Sequence, residues 1–354
     1  MISAIEELLT AARRRRVFSA AGWSVGTATT TLCRGLLGTT SWDSPAWDPP
    51  ATDVTEDSRW DLASVTKPIV AIAVMSLVEG GVLTLDDTIA EHLPDYADTD
   101  KARIRVRDLL AHTSGIPGQQ PLYRWNRTRD ELLTAIRGLP LLGPPGAQVA
   151  YSSPGFILLG LIAESAAGMP LDLLVTERIT RPAGMADAGF AAPPTELAVA
   201  TEDDPWRGHL VRGQVHDENA VVLGAPAGHA GMFATLADVE ALGRTLCAHG
   251  HGANGRVLTP AGYAAMIAPR TDHLPLRRTL GWQGVDLVDS VAGDLIGPRG
   301  YGHTGFTGTS LWVDPDRGSY VVLLTNRVHP SRQSEAIGRV RRAVNNAGFA
   351  LASR

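Results

Sequence analysis

Lysine is almost missing from this chain. Of 32 Lys and Arg residues only Lys67 and Lys101 are lysines. Arginine keeps its proton near neutral pH, whereas a desolvated lysine can lose it, so a retained lysine invites a chemical reading. Cysteine is equally scarce: Cys33 and Cys247 make no disulfide framework, and no Cys/His cluster has metal-ligand spacing. Both read as small buried residues of a reducing compartment, and neither a metal nor another cofactor is expected. No run reaches the roughly 18 apolar residues of a membrane span. The opening Met1-Ile-Ser-Ala-Ile-Glu-Glu lacks the basic segment, apolar core and cleavage site of a leader. The expectation is a cytoplasmic protein with no membrane partner. Positive charge is not in excess, with a net charge of -5 and a pI near 6.1, which argues against a nucleic-acid partner. The one basic run, Arg13 to Arg16, ends an amphipathic segment and suits the negative end of a helix.

What is present is enough for a large core: 354 residues, 44% hydrophobic and 19% charged. That length predicts one large or two closely joined domains. A helix is expected over residues 3–16 and two strands between Val17 and Leu37, followed by a Pro/Asp/Ser/Thr-rich loop to residue 58. From Val65 to Val78 apolar residues surround the helical wheel, the mark of a buried helix, and Gly80-Gly81 stops it. Helical turns follow at 105–111 and 128–138. A helix from Pro154 to Ala167 has Ser153 placed as its cap, Pro154 at its first position and Gly168 at its close. Another helix covers 236–249. The last third turns to strand runs, 279–286, 305–314 and 318–326, before a closing helix at 334–346. Strands at both ends and helices between predict an α+β fold, an antiparallel sheet built from both termini with an inserted all-helical domain. The sheet domain would hold residues 1–63 and about 215–354, the helical one about 64–214, with the active site at their junction.

Ser64 and Lys67 stand at i and i+3 at the start of the buried helix, so their side chains share one face about 5–6 Å apart. The positive helix end and burial both disfavour an ammonium, so the lysine suits the part of a base. The same end offers backbone N–H groups to a developing oxyanion. A capping serine with a surface lysine is the alternative, and the apolar surroundings argue against it.

Ser64-Val-Thr-Lys67, Tyr151-Ser-Ser153 and His303-Thr-Gly305 occur in the order and spacing of the three motifs of penicillin-recognising serine enzymes. Flanking runs such as Leu109-Leu-Ala-His-Thr-Ser-Gly-Ile116 agree. From about residue 60 to 328 the chain resembles the group of class C β-lactamases, D-Ala-D-Ala peptidases and family VIII esterases. The resemblance implies that Ser64 is the acylated nucleophile, Lys67 its activator, and Tyr151 a phenol that shuttles protons. It implies an oxyanion hole from the N–H groups of Ser64 and Phe306, and substrate contacts from Ser153, His303, Thr304 and Gly305. Gly305 would let a strand backbone approach the ligand closely. Two departures stand out. Ser153 replaces the group's Asn and is more simply a helix cap than a substrate contact. His303 replaces its Lys, which removes a permanent cation suited to a carboxylate. Both favour an ester or other small acyl donor over a β-lactam or D-Ala-D-Ala.

His216-Asp-Glu-Asn219 and Gly228-His-Ala-Gly231 read either as pocket lining or, slightly preferred, as a buried hydrogen-bond hub. His112 is expected to shape its own turn, and Trp125, Trp206 and Trp282 are pocket-wall candidates by residue type. The leading function is a serine hydrolase that forms an acyl-enzyme from a small ester or amide. The alternative is an acyltransferase, resembling lovastatin-type transesterases or transacylases of antibiotic pathways, which passes the acyl group to an amine or alcohol. A catalytically silent scaffold or sensor is the third reading.

Overall fold

A computed structural model describes residues 2–224 and 226–354, with side chains from Ala4 onward. A six-stranded antiparallel sheet draws on both ends of the chain: β1 (Ala20–Thr27), β2 (Thr31–Gly38), β3 (Gln283–Gly284), β4 (Tyr301–Thr304), β5 (Ser310–Asp314) and β6 (Ser319–Thr325), ordered β2-β1-β6-β5-β4-β3. Its central pairing joins the two chain ends, from Ala21 opposite Thr325 to Thr27 opposite Ser319. On one face lie α1 (Ile2–Arg14) and α5 (Ile337–Ala352), which pack Ile5, Leu9, Val344 and Phe349 on Trp23, Val321 and Leu323. On the other lies α4 (Leu236–Cys247), whose Leu236, Val239 and Leu242 meet Tyr320, Val322 and Leu324. With both faces covered, every residue of β6 is buried, so its sequence is a continuous apolar run without alternation.

Two expected strand runs are shortened. Residues 305–309 form the turn between β4 and β5, because Gly308 adopts φ +118° and Gly305 N–H closes on Thr309 O at 2.7 Å. In the 279–286 run only Gln283 and Gly284 pair with β4. The closing helix begins at Ile337 rather than 334. Residues 332–335 are drawn aside because Arg327 donates to the carbonyls of Arg332 and Ser334 while Arg332 reaches Glu202.

Between β2 and α4 the chain is mainly helical. Helix α2 (Thr66–Glu79) is buried from Thr66 to Leu77, as a helix apolar all round must be. The 280s loop closes directly on it: Gly281 has φ +87°, and a Cβ there would lie 2.1 Å from that of Ala71. Helix α3 (Ser153–Ala167) packs against α2 and ends, as expected, with Gly168 in the left-handed region. Its cap is not Ser153. The Ser152 hydroxyl accepts the Gly155 N–H at 3.0 Å and donates to Pro117 O at 3.0 Å. Pro154 then falls second in the helix and Ser153 first, so Ser153 is released from capping. Among the described residues no single helix is long and apolar enough to cross a membrane.

A charged knot ties the middle of the chain to its C-terminal part. Buried Glu202 accepts from Arg332 Nε at 2.6 Å, from the Arg332 N–H at 3.0 Å and lies 3.1 Å from His216 Nε2. Burial alone would raise its pKa, but these bonds and the arginine's charge outweigh it and bring the carboxyl down to about 2. Because the folded value lies below the ordinary one near 4.5, this contribution to stability is complete above about pH 4.5 and is lost as pH falls towards 2. Melting temperature followed from pH 5 to pH 2 should therefore decline, and Glu202→Gln should flatten that decline. Ser152→Ala should cost about 1–2 kcal/mol in denaturant unfolding, since it removes a cap and strands a buried carbonyl, while Ser153→Ala should cost well under half of that.

Candidate active site

The residues around Ser64 are built by a short 3-10 turn, Ala63–Val65, that runs straight into α2. From Asp61 to Val70 every residue is buried except Ser64, which is partly open. Lys67, second in α2, is fully buried, and its Nζ donates to Ser64 Oγ at 3.2 Å and to His229 O at 3.0 Å. It forms no ion pair among the described residues. The same Nζ lies 4.9 Å from the centre of the Tyr151 ring. Ser64, Lys67 and Tyr151, almost ninety positions apart in the chain, thus meet at one point.

His112 grips the segment around Tyr151. Its Nδ1 accepts the Ser152 N–H at 3.0 Å, its carbonyl accepts that of Ala150 at 2.9 Å, and its ring lies 4.6 Å from that of Tyr151. Burial, and then the charges of Arg278 and Lys67, push its pKa well below the usual range, so it is neutral with its proton on Nε2. That nitrogen is buried without a partner. His112 therefore orders its neighbours as well as its own turn.

On β4, His303 faces Tyr151 at 5.9 Å between ring centres and donates from Nδ1 to Thr304 O at 2.9 Å. Burial first, and then Lys67, bring its pKa down to about 3, so it is uncharged at neutral pH. Thr304, Gly305 and Phe306 follow it into the cleft. The N–H groups of Ser64 and Phe306 have no hydrogen-bond partner among the described residues. Gly305 has a different reason to be glycine than ligand approach: a Cβ there would lie 2.0 Å from Thr309 Oγ1 and 2.5 Å from Leu62 O. It lets the turn after β4 close on the segment that carries Ser64.

The cleft has two lobes that meet at Ser64, Gln119 and Phe306. One, about 250 Å³, is bordered by His112, Tyr151, Trp282, His303, Arg278 and Arg341. Arg341 is buried in α5 and donates through Nη2 to Gly305 O at 2.6 Å and Thr309 O at 3.0 Å; burial lowers its pKa to about 9. Arg278 is equally buried, and its nearest carboxylate, Asp286, is 4.0 Å away. Two buried arginines, one from a loop and one from α5, thus border this lobe.

The other lobe, about 260 Å³, includes Ser153, Tyr123, Asp217 and Asn219. Here the His216–Asn219 segment is both lining and hub. Asp217 caps the helix Glu218–Leu223 and lies 2.9 Å from His229 Nε2. Burial would raise its pKa, but the charge and hydrogen bond of His229 outweigh this and hold it well below the carboxylate range. Asn219 accepts the Tyr123 N–H and donates to Gln120 O. Of the three tryptophans, only Trp282 borders the cleft; Trp125 is 73% exposed and Trp206 packs on Tyr123.

Sequence reasoning overlooked Arg278, Arg341, Gln119 and Asp61. Arg341 left a trace: it falls on the stripe Ile337, Arg341, Val344, Gly348 that forms the buried face of α5. Arg278 left none among so many arginines. No group of three or more His, Cys, Asp or Glu among the described residues could hold a metal ion.

The family model described as Beta-lactamase matches residues 34–345. A relative from Escherichia coli (strain K12), named "Putative D-alanyl-D-alanine carboxypeptidase", is 32% identical over 308 residues, covering 78% of this chain and 70% of that protein. Among solved structures, "EstCE1, a hydrolase with promiscuous acyltransferase activity" superposes with a TM-score of 0.78 at 21% identity, covering 98% of both chains. The LovD6 mutant of simvastatin synthase from Aspergillus terreus gives 0.76 at 20% identity, covering 99% of this chain and 96% of that one. These structures share the β-lactamase/transpeptidase-like fold. With the family model spanning most of its length, the chain belongs to the beta-lactamase family and is an enzyme of that serine-hydrolase superfamily.

Proposed function

We propose that this enzyme hydrolyses a small ester or amide through an acyl-enzyme on Ser64. The observation that carries the reading is the contact of Lys67 Nζ, buried and without a carboxylate partner, with Ser64 Oγ at 3.2 Å. In its uncharged form Lys67 takes the hydroxyl proton, directly or by way of the Tyr151 phenol, as Oγ attacks the acyl carbon. The carbonyl oxygen gains the negative charge and is met by the N–H groups of Ser64 and Phe306. The bond to the leaving group breaks and the proton passes to it. Water then gives up a proton to the same Lys67–Tyr151 pair, attacks the acyl carbon, and releases Ser64 with its proton restored.

Two lobes of this size suit a small molecule. The arginine-bordered lobe supports a donor that carries an anionic group, as a dipeptide ending in a free carboxylate would. The relatives' name, D-alanyl-D-alanine carboxypeptidase, fits such a donor. On this reading Arg278 and Arg341 offset the loss of the lysine that His303 replaces. Transfer of the acyl group to an amine or alcohol is the second reading. It is supported by the second lobe, which opens on Ser64 from the other side and leaves room for an acceptor.

Intact-mass spectrometry with an activated ester should show one acyl adduct on the wild-type protein and none on Ser64→Ala. Lys67→Arg, which keeps its proton, should slow acylation by about 10²–10⁴-fold. An unlabelled wild-type protein would instead support a silent scaffold. Product that forms in buffer alone marks a hydrolase, and product that needs an added amine or alcohol marks a transferase. Arg278→Ala should raise KM for a carboxylate-bearing ester about 10-fold or more, and leave its neutral methyl ester within about 3-fold, as loss of a charge-assisted hydrogen bond predicts.

A further inference from the structure

Asp61 lies three residues before the serine and is almost completely buried, yet it makes no ion pair among the described residues. Its carboxylate is held by backbone alone: Oδ1 accepts the Ala63 N–H at 2.7 Å and Oδ2 accepts the His216 N–H at 2.7 Å. Its carbonyl accepts the Thr307 hydroxyl at 2.8 Å, and the next carbonyl, of Leu62, accepts that of Thr309 at 3.0 Å. The residue between Leu62 and the serine is unusual. Ala63 has φ +46°, in the left-handed region that a Cβ disfavours. An alanine does not hold that conformation unaided; surrounding structure must impose it, and the short bond from Asp61 Oδ1 to its N–H is the nearest restraint.

The two turns that meet at Asp61 carry the N–H groups of Ser64 and Phe306, which have no hydrogen-bond partner among the described residues. We propose that Asp61 is a positioning residue: its carboxylate holds Ala63 left-handed and ties the segment before Ser64 to His216, so aiming the Ser64 N–H beside that of Phe306 as donors of the oxyanion hole. The inference rests on the acyl-enzyme reading above. Asp61 touches no substrate, and its effect reaches the reaction only through the geometry of Ser64 and Phe306.

The test is a cycle on the full chain, read as the single-turnover acylation rate and KM for an activated ester. Asp61→Ala should lower the acylation rate by at least about 30-fold and leave KM within about 3-fold, since an aligned oxyanion donor acts in the transition state. Ala63→Gly in the same chain should then recover at least about 10-fold, because glycine enters the left-handed region without help. A merely structural role for Asp61 would give no such recovery. The near-isosteric Asp61→Asn, alone and with Ala63→Gly, carries the same comparison if Asp61→Ala does not fold. An acylation rate within 2-fold of wild type in both Asp61 variants, or a loss that Ala63→Gly leaves untouched, would overturn the proposal. If Ser64→Ala remained active the acyl-enzyme reading itself would fail; if it is inactive and the Asp61 variants are unimpaired, only this inference fails.

Discussion

The rest of the structure is arranged around one buried amine. Lys67 Nζ is fully buried, with a hydroxyl and a carbonyl as hydrogen-bond partners and no paired carboxylate among the described residues. To create that environment the chain surrounds α2 with apolar contacts along its first three turns, closes Gly281 onto Ala71, and places the Tyr151 ring over the nitrogen. Fold and chemistry are coupled at this point: a looser core around α2 would let water reach Lys67.

Around this centre the charges are sorted. His112 and His303, which face each other across Tyr151, are both held neutral by burial and by nearby cations. Permanent positive charge comes from Arg278 and Arg341 on one side of Ser64. On the other side Arg332 is matched by Glu202 and Glu218, and Asp217 by His229. The first lobe therefore carries two buried arginines, whereas these buried charges of the second lobe are paired. An anionic group would be drawn to one side of the nucleophile, and the acyl bond oriented by that asymmetry.

Much of the fold was legible because its signals are local. The encircling apolar pattern of α2, the glycine that ends α3 and the continuous run of β6 each follow from their own residues. The site was legible for another reason: Ser64, Lys67 and Tyr151 are recognisable as a spaced set before any contact between them is known. What escaped was decided by small displacements or by distant partners. Ser152 and Ser153 are both competent caps, and only the position of Pro117 O favours the first. Residues 305–309 have strand-like composition, yet Gly305 is needed where the turn meets Leu62 and Thr309. The arginines of the cleft come from a loop and a helix whose approach to β4 no local pattern records.

Arg341 shows why cation and oxyanion donors cannot be treated as separate parts. Its Nη2 bonds the carbonyls at both ends of the Gly305–Thr309 turn, and Arg327 Nε bonds the Phe306 carbonyl at 2.7 Å. The Phe306 ring is packed against Arg327 and Arg332 as well as His216. Hydroxyls of Thr307 and Thr309 fasten the same turn to Asp61 and Leu62 from the opposite side. One five-residue turn is thus held between the arginines that border the ligand lobe and the segment that delivers the nucleophile. A lysine at position 303 could supply charge without touching those carbonyls. An arginine in α5 supplies the charge and shapes the turn together, so a change in substrate charge preference made at Arg341 would also move the Phe306 N–H. Under the proposed function, recognition and transition-state stabilisation would share the same hydrogen bonds, tying the specificity of this site to its rate.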